Sequence, residues 1–278
     1  MKTYELINLG SSFLKDNSIL NSRLDSEIIL SHIMETSRER LLIDEQDINS
    51  DKIEKFNSLI LRRSKNEPIA YITKNKEFRS TNFFVDKNSL IPRPETELLI
   101  DPITSIFKRR KLFFLDAGIG TGCIIFSILK ELKHSKGIGI DKCKKTIFNA
   151  RKNLISLKLQ NRAKLLHRPI SKVFGYKFDL VVSNPPYIAK RDIKRLSDDI
   201  KRYEPRSALD GGNDGLDVIR KVIYESKNIL KSKGILALEI GTGQHKDVIR
   251  MLSDNKFKLK GTIKDYQDNI RCIFSTLL

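Results

Sequence analysis

Residues 113–123 read FFLDAGIGTGC, and this stretch decides the fold of the chain. An apolar run of the strand type passes through Asp116, and Gly118, Gly120 and Gly122 follow before a helical pattern begins. Glycines at such a turn adopt positive φ angles and let the backbone approach a ligand closely. The stretch therefore predicts a strand, a tight loop and a helix, with a ligand held at the carboxyl end of the strand.

Strand-like and helical patterns alternate on both sides of this loop, from about residue 93 onward. The strand-like runs are KLFFLDAG, GIGID, FDLVVSN and GILALEIG, and the helical patterns are GCIIFSILKELK, CKKTIFNARKNLISL and LDVIRKVIYESKNIL. Such alternation is typical of a parallel sheet covered by helices on both faces, an α/β fold. Residues 257–278 predict two further strands joined by DYQDN, which would form an antiparallel pair at the edge of the sheet.

The first 72 residues have a different character, because apolar side chains recur there at helical spacing. Leu6, Leu9, Leu14 and Ile33 belong to this pattern, which predicts a small helical domain over residues 1–72. Residues 73–92 alternate in places and hold aromatic and β-branched side chains, so we expect a β-hairpin or extended linker. The sheet domain would then occupy residues 93–278.

Composition restricts the class of protein. The 278 residues include 52 Lys+Arg and 34 Asp+Glu, which gives a formal net charge of +18. This charge favours an anionic partner or an RNA-containing assembly, but the basic residues are spread along the whole chain, so biased codon usage explains it equally well. No apolar run approaches the roughly 18–20 residues of a membrane span. The opening MKTYELINLG lacks the apolar block of a signal peptide, so we expect a cytoplasmic protein with no membrane contact.

The cysteines and histidines do not indicate a metal. Cys123, Cys143 and Cys272 are far apart, and the four histidines form no ligand pair at metal-binding spacing. We expect reduced thiols and no metal site.

An acidic residue marks the end of the strand that follows the glycine loop. Asp141 closes the run GIGID, and a carboxylate at that point can accept hydrogen bonds from both hydroxyls of a ribose. The nicotinamide fingerprint G-x-G-x-x-G would need glycine at 123, where Cys123 stands, and no G-K-[ST] motif is present. S-adenosylmethionine is therefore a better candidate ligand than NAD or ATP, and the alternative is a tight turn with a solvated Asp141.

The stretch FDLVVSNPPYIAK, residues 178–190, places an amide and two prolines at another strand end. The side-chain oxygen of Asn184 can accept one N–H of an NH₂ group, and the carbonyl of Pro185 can accept the other. Pro185 and Pro186 have fixed φ angles, so their carbonyls are presented in one direction. Tyr187 offers a flat face for stacking against a planar group.

Such a pocket would select an NH₂ group on a planar carbon, either a carboxamide or a nucleobase amine. The nitrogen of these groups is a poor nucleophile because its lone pair is delocalised. Two aligned acceptors can favour a pyramidal nitrogen that faces a sulfonium methyl group, with orientation contributing up to roughly 7–11 kcal/mol. The alternative interpretation is a rigid turn at the end of a strand.

These segments together resemble the protein-(glutamine amide) methyltransferases that modify peptide chain release factors. EPIAYITKNKEF (67–78) is similar to the linker of this family, and LIPRPETELLID (90–101) matches its signature almost residue for residue. LDAGIGTGC, GIGID, VVSNPPYI, YEPRSALDGGNDGLDVIRKVI and LALEIGTGQ follow in the family's order. The motif NPPY alone is shared with adenine-amine DNA methyltransferases and some ribosomal RNA methyltransferases.

The resemblance implies a Rossmann-like class I methyltransferase sheet with a small helical N-terminal domain that helps to dock the release factor. It implies that the cofactor S-adenosylmethionine is bound by Gly118, Ile119, Gly120, Thr121, Gly122, Asp141 and Asn184, with Asp141 on the ribose. It also implies that Asn184, Pro185, Pro186 and Tyr187 hold the glutamine of the release factor's Gly-Gly-Gln loop, with Asn184, Pro185 and Tyr187 as the catalytic set. A monomer is expected.

Several positions depart from the family pattern or allow two interpretations. Where many members carry an acid and an aromatic residue near the adenine, this chain has Arg168 and Pro169, which puts the adenine contacts in doubt. Ile119 stands where threonine is usual. Arg93 and Glu95 would either shape the pocket entrance or form a buried ion pair.

Two other functions compete with glutamine methylation. One is a methyltransferase acting on an exocyclic amine of adenine or guanine in DNA or rRNA, for which base flipping would require an added nucleic-acid-binding surface. The other is an RNA-binding or ribosome-associated protein with a relict cofactor fold.

Overall fold

The computed structural model describes residues 1–278, and none of its helices is both long and apolar enough to cross a lipid bilayer. The α-helices are α1 (Thr3–Asp16), α2 (Ser22–Met34), α3 (Arg38–Ile43), α4 (Ser50–Ser64), α5 (Ile69–Thr73), α6 (Ile100–Phe107), α7 (Cys123–Glu131), α8 (Lys144–Ser156), α9 (Asp198–Tyr203), α10 (Asp217–Ile229) and α11 (His245–Asp254). The strands are β1 (Asn75–Phe78), β2 (Thr81–Phe84), β3 (Phe113–Ala117), β4 (Lys136–Asp141), β5 (Ala163–His167), β6 (Phe178–Ser183), β7 (Leu230–Glu239), β8 (Phe257–Lys264) and β9 (Ile270–Leu277).

Seven strands form one sheet in the order β5-β4-β3-β6-β7-β9-β8, while β1 and β2 form a separate two-stranded sheet. Strands β3 to β7 are mutually parallel, and β9 and β8 continue the sheet in antiparallel fashion. The predicted α/β fold, including the antiparallel terminal pair, is confirmed. After β3, the chain adds β4 and β5 on one side of that strand and then β6 and β7 on the other side, so the strand order reverses at β3. Open α/β sheets bind ligands at this switch point.

Alternating side chains of the central strands divide the sheet core into two layers. Phe114 and Leu180 pack with α6, α7 and α8 on one face, whereas Leu115 and Val181 pack with α10 and α11 on the other. All four side chains are fully buried. Burial on both faces explains why β3 and β6 are continuous apolar runs, a feature of parallel strands.

The chain divides into two compact units, one comprising Met1–Asn75 with Ser197–Tyr203 and the other Lys76–Leu196 with Glu204–Leu278. In the first unit, the helices bury a separate apolar core that includes Leu6, Leu30 and Phe56. The Nε atom of Arg63 in α4 lies 2.7 Å from Oδ2 of Asp25 in α2, and both side chains are largely buried. The hydroxyl of Tyr203 donates to the carbonyl of Lys65 at 2.9 Å, so α9 is held within this unit.

Candidate active site

A cavity of about 420 Å³ is lined by the residues that follow β3, β4 and β6. Its volume falls within the roughly 300–1,000 Å³ typical of small-molecule sites. The wall includes these sequence-predicted residues: Gly118, Ile119, Gly120, Thr121, Asp141, Asn184, Pro185 and Pro186. Gly122 and Tyr187 are not on this wall. The three strand ends therefore bring eight of the ten predicted site residues together.

The glycine loop has the conformation that its sequence requires. Gly118, Gly120 and Gly122 have φ angles of +83°, +55° and +86°, in the left-handed region that favours glycine. A Cβ atom at Gly118 would meet nothing within 4 Å, so the space above the loop is open to a ligand. The amides of Gly118 and Ile119 both donate to the carbonyl of Ile140, at 3.0 and 2.8 Å. These two amides are thus engaged, and the loop offers mainly a close approach along its backbone.

Ile119 is held in place by a glycine on the neighbouring strand. A Cβ atom built on Gly139 would lie 2.2 Å from Cδ1 of Ile119, so only glycine in β4 leaves room for this side chain. Ile119 is buried and belongs to the core of the sheet while it also contributes to the cavity wall. This packing accounts for an apolar residue at a position where the family usually has threonine.

Asp141 lies on the cavity wall and is oriented by backbone amides. Its Oδ1 accepts a hydrogen bond from the amide of Cys143 at 2.8 Å, and its Oδ2 lies 3.5 Å from the amide nitrogen of Gly120. Burial raises the pKa of Asp141, and the two amides oppose this effect. The carboxylate is thereby placed beside the loop as an acceptor for hydroxyl groups.

Asp116, at the end of β3, is the most deeply buried acid near the loop. Its Oδ2 accepts from the amide of Ile125 at 3.2 Å, which anchors the first turn of α7, and its Oδ1 has no hydrogen-bond partner. Burial raises the pKa of Asp116 to about 7. Asp116 is not on the cavity wall, so the acid that a ligand can reach beside the loop is Asp141, which suits a ligand with hydroxyl groups such as S-adenosylmethionine.

Asn184 begins the turn after β6, and one end of its amide is already engaged. Its Nδ2 donates to Oγ1 of Thr96 at 3.0 Å, so the amide oxygen is the end left for a ligand. Pro185 and Pro186 continue along the cavity wall. Because prolines have no N–H, this turn presents carbonyl acceptors and no backbone donors at these two positions.

Tyr187 lies against the opposite side of the turn. Its hydroxyl donates to Oε1 of Glu239 at 3.2 Å and accepts from Arg271 at 3.3 Å, and the guanidinium carbon of Arg271 lies 5.5 Å from the ring centroid. The Tyr187 carbonyl accepts from Nε2 of Gln244 at 2.9 Å. Tyr187 lines a second, polar pocket with Gln244 and Arg271, so its stacking on the substrate stays a prediction.

The sequence reasoning did not single out four residues that hold this turn: Thr96, Glu239, Gln244 and Arg271. Thr96, Glu239 and Gln244 lie inside the family-like segments LIPRPETELLID and LALEIGTGQ, and that membership is the only sequence signal that marks them. Their contacts with the turn join positions far apart in the chain, which the pattern of a single sequence does not reveal.

Arg93 and Glu95 have different outcomes: Arg93 lies on the cavity wall and Glu95 does not, and Arg93 pairs with Glu204 rather than with Glu95. The side chain of Glu204 is almost fully buried. Glu204 Oε2 accepts from the amide of Ile91 at 3.2 Å. The Glu204 carboxylate thus holds the LIPRP segment at the edge of the cavity.

The residues that depart from the family pattern lie on the cavity wall as well. Arg168, Pro169 and Lys142 all line it together with Asp141. Nη1 of Arg168 donates to the carbonyl of Lys172 at 3.4 Å. A base bound beyond Asp141 would therefore meet a guanidinium and a proline ring.

Comparisons with known proteins find similarity in both the helical part and the sheet part of the chain. Residues 5–73 match a family model described as PrmC N-terminal domain, and residues 94–200 match the Methyltransferase small domain. The fold is similar to that of a methyltransferase structure from Pyrococcus furiosus, with a TM-score of 0.55, 18% identity, and coverage of 79% of this chain and 96% of that chain.

Two curated relatives show the family. A release factor glutamine methyltransferase of Caulobacter vibrioides is 35% identical over 263 residues, which cover 94% of this chain and 91% of the relative. One from Clostridium acetobutylicum is 36% identical over 273 residues, which cover 96% and 95%. This chain therefore belongs to the release factor glutamine methyltransferase family.

Proposed function

We propose that this protein transfers a methyl group from S-adenosylmethionine to the side-chain amide nitrogen of the glutamine in the Gly-Gly-Gln motif of peptide chain release factors. Membership of the family supports the reaction. The observation that carries the proposal for the site is the orientation of Asn184, whose NH₂ end is bonded to Thr96 and whose oxygen is left for an NH₂ group in the cavity.

The residues that would hold the cofactor are the loop Gly118–Gly122 and Asp141. The open space above Gly118 admits a ligand close to the backbone, and the Asp141 carboxylate is available to ribose hydroxyls. When bound, S-adenosylmethionine supplies a methyl group activated by its sulfonium centre. Asn184, at the end of the neighbouring strand, shares the same cavity wall.

The chain's own contribution to the chemistry would be orientation of the substrate amide. The amide oxygen of Asn184 and the carbonyl of Pro185 would each accept one N–H of the glutamine side chain. These bonds favour a nitrogen lone pair directed towards the methyl donor, against an amide resonance that gives a rotation barrier of about 18–20 kcal/mol. The new N–C bond would form as the S–C bond of the sulfonium breaks, which would release the donor as a neutral thioether. The methylated amide would then carry one proton too many and would lose it to solvent water, while Asn184 and Pro185 hold the N–H groups.

Incubation with tritiated S-adenosylmethionine tests the proposal. The substrates are a release factor, a Gly-Gly-Gln peptide, the same peptide with glutamate in place of glutamine, DNA and rRNA. Label on the release factor and the glutamine peptide alone supports the proposal. Label on nucleic acid would identify an amine methyltransferase of the other class, and a chain that binds S-adenosylmethionine but labels nothing would be non-enzymatic.

We further propose that the helical region, residues 1–72, contributes to docking the release factor, while residues 73–92 act as a linker to the methyltransferase domain at 93–278. Support comes from the separate apolar core of the helical unit, which needs no part of the sheet core. If surfaces outside the cavity dock the substrate, the whole release factor will have a lower KM than the isolated peptide at a similar kcat. Equal KM values would remove the docking role.

We also propose that the enzyme acts in the cytoplasm as a monomer. Support comes from the cavity itself, whose wall combines the ends of three strands with the LIPRP segment and α10 of the same chain. Analytical ultracentrifugation of the active protein tests this, and activity confined to a dimer fraction would contradict it.

A further inference from the structure

We infer that Glu239 and Thr96 are positioning residues, which fix the end of the Asn184 amide that faces the cavity. This inference rests on the proposed function, because it concerns how the enzyme holds its substrate amide. Neither residue needs to touch the reacting atoms, since both act through Asn184.

Glu239 is the last residue of β7, and its carboxylate is fully buried beneath the turn. Its Oε2 accepts from the hydroxyl of Thr96 at 2.7 Å, and its Oε1 accepts from the hydroxyl of Tyr187 at 3.2 Å. The Glu239 carboxylate therefore holds both ends of the Asn184–Tyr187 turn. It bonds Tyr187 directly, and it bonds Thr96, which in turn bonds Asn184.

The single hydroxyl hydrogen of Thr96 sets the direction of the hydrogen bonds from Asn184 through Thr96 to Glu239. A hydroxyl carries a single hydrogen, and that of Thr96 is donated to Glu239. Thr96 can consequently offer only a lone pair to Asn184, so it accepts from the NH₂ end of the amide. A reversed Asn184 would set its oxygen against the Thr96 oxygen with no hydrogen between them.

The hydrogen bonds on the Tyr187 side of Glu239 also run towards the carboxylate. Arg271 can only donate, and it donates to the Tyr187 hydroxyl at 3.3 Å, which in turn donates to Glu239. Burial raises the pKa of Glu239, while its hydrogen bonds with Thr96 and Tyr187 and the charge of Arg271 oppose that effect and favour the carboxylate. Thr96 and Tyr187 both donate to Glu239, and Asn184 donates to Thr96, so the amide oxygen of Asn184 is the end left for the cavity.

Variants of Thr96 test this direction. Thr96→Val keeps the shape of the side chain but removes the hydroxyl, and we expect kcat to fall about 10- to 100-fold through misoriented Asn184, with unchanged calorimetric affinity for S-adenosylmethionine. Thr96→Ser restores the hydroxyl and should restore most of kcat. Thr81→Val is the matched control, since Thr81 is also buried and hydrogen-bonded but lies outside the cavity wall, and it should retain wild-type kcat.

Glu239→Gln supplies a second, independent test. A glutamine at this position can donate to Thr96, so the direction of the chain of bonds is no longer imposed although the shape is kept. We expect a loss of kcat similar to that of Thr96→Val. If Thr96 had only a structural role, Thr96→Val and Thr96→Ser would both lower thermal stability. Serine would then not restore kcat selectively.

The orientation itself is measurable without turnover. In ¹⁵N-labelled protein, the side-chain NH₂ of Asn184 should exchange slowly with solvent in the wild type and in Thr96→Ser, and rapidly in Thr96→Val. Wild-type kcat and slow exchange in Thr96→Val would overturn the inference, as would a Thr96→Ser variant as impaired as the valine variant. A wild-type protein that methylates no glutamine would overturn the proposed function instead, and the exchange measurement would still decide the positioning role.

Discussion

Replacing Asn184 with alanine removes one of the two acceptors that the proposed mechanism requires. Pre-positioned groups of this kind typically contribute about 10²–10³ in kcat, or about 2.7–4 kcal/mol. We therefore expect kcat on a Gly-Gly-Gln peptide to fall by about that factor. The affinity for S-adenosylmethionine should change little, because Gly118–Gly122 and Asp141 remain in place.

The stability cost of this substitution can be read from its contacts. Asn184 makes one side-chain hydrogen bond, to Oγ1 of Thr96 at 3.0 Å, and Thr96 keeps its own bond to Glu239 after the substitution. No buried donor loses its partner, so the loss should be close to that of a single hydrogen bond, about 0.5–1.5 kcal/mol. The variant should therefore fold, and a fall in kcat would reflect chemistry.

The assay is single-turnover transfer of a tritiated methyl group to the peptide, combined with calorimetric titration of S-adenosylmethionine. Asn255→Ala is a matched control, because Nδ2 of Asn255 makes one hydrogen bond, to the carbonyl of Met251 at 2.8 Å, and Asn255 is not on the cavity wall. If Asn184→Ala transfers the methyl group as fast as Asn255→Ala, the two-acceptor mechanism is wrong.

Two further predictions concern the acids beside the glycine loop. Asp141→Asn should weaken S-adenosylmethionine binding by about 1.5–3 kcal/mol, the usual size of a hydrogen bond to a charged group, with kcat at saturating cofactor unchanged; calorimetry and steady-state kinetics check this. Asp116 has its pKa raised from 3.8 to about 7, so the folded protein binds the extra proton in this interval and its stability falls as pH rises through it. The interval from 3.8 to about 7 corresponds to about 4 kcal/mol at about 1.36 kcal/mol per pH unit, and Asp116→Asn should remove this pH dependence. Urea unfolding at both ends of the interval would detect the difference, and parallel curves for the two proteins would contradict it.

The fold and the main positions of the site could be predicted because each is marked locally in the sequence. The glycine loop, Asp141 and Asn184 all come directly after apolar runs, and the carboxyl ends of parallel strands meet at one edge of a sheet. That rule predicts that the three features lie together, and the cavity wall contains all of them. The strand β5 has no such mark, since Ala163–His167 has only five residues, is interrupted by Lys164 and lies at the sheet edge.

Contacts between distant segments were beyond sequence reasoning. Thr96 meets Asn184 across 88 residues and Glu239 across 143 residues, and no periodic pattern encodes either pairing. Likewise, α9 lies in the helical unit although it follows the active-site turn in the chain, because Tyr203 reaches Lys65. The contacts of Tyr187 with Arg271 and Glu239 are likewise not encoded locally, and its stacking on the substrate stays a prediction.

The direction of these hydrogen bonds bears on the choice of an amide over an acid as substrate. Pro185 and Pro186 have no N–H to donate, and the NH₂ group of Asn184 is engaged by Thr96. At Pro185 and Pro186 the turn presents carbonyl acceptors and no N–H, and the Asn184 oxygen adds a third acceptor, a set that suits the NH₂ group of glutamine and disfavours the carboxylate of glutamate. Sites that hydrogen-bond a particular group commonly reject an analogue lacking it by about 10⁴–10⁵. Pro185, Pro186 and the oriented amide of Asn184 can therefore account for selectivity for glutamine over glutamate without any charged residue at the reacting nitrogen.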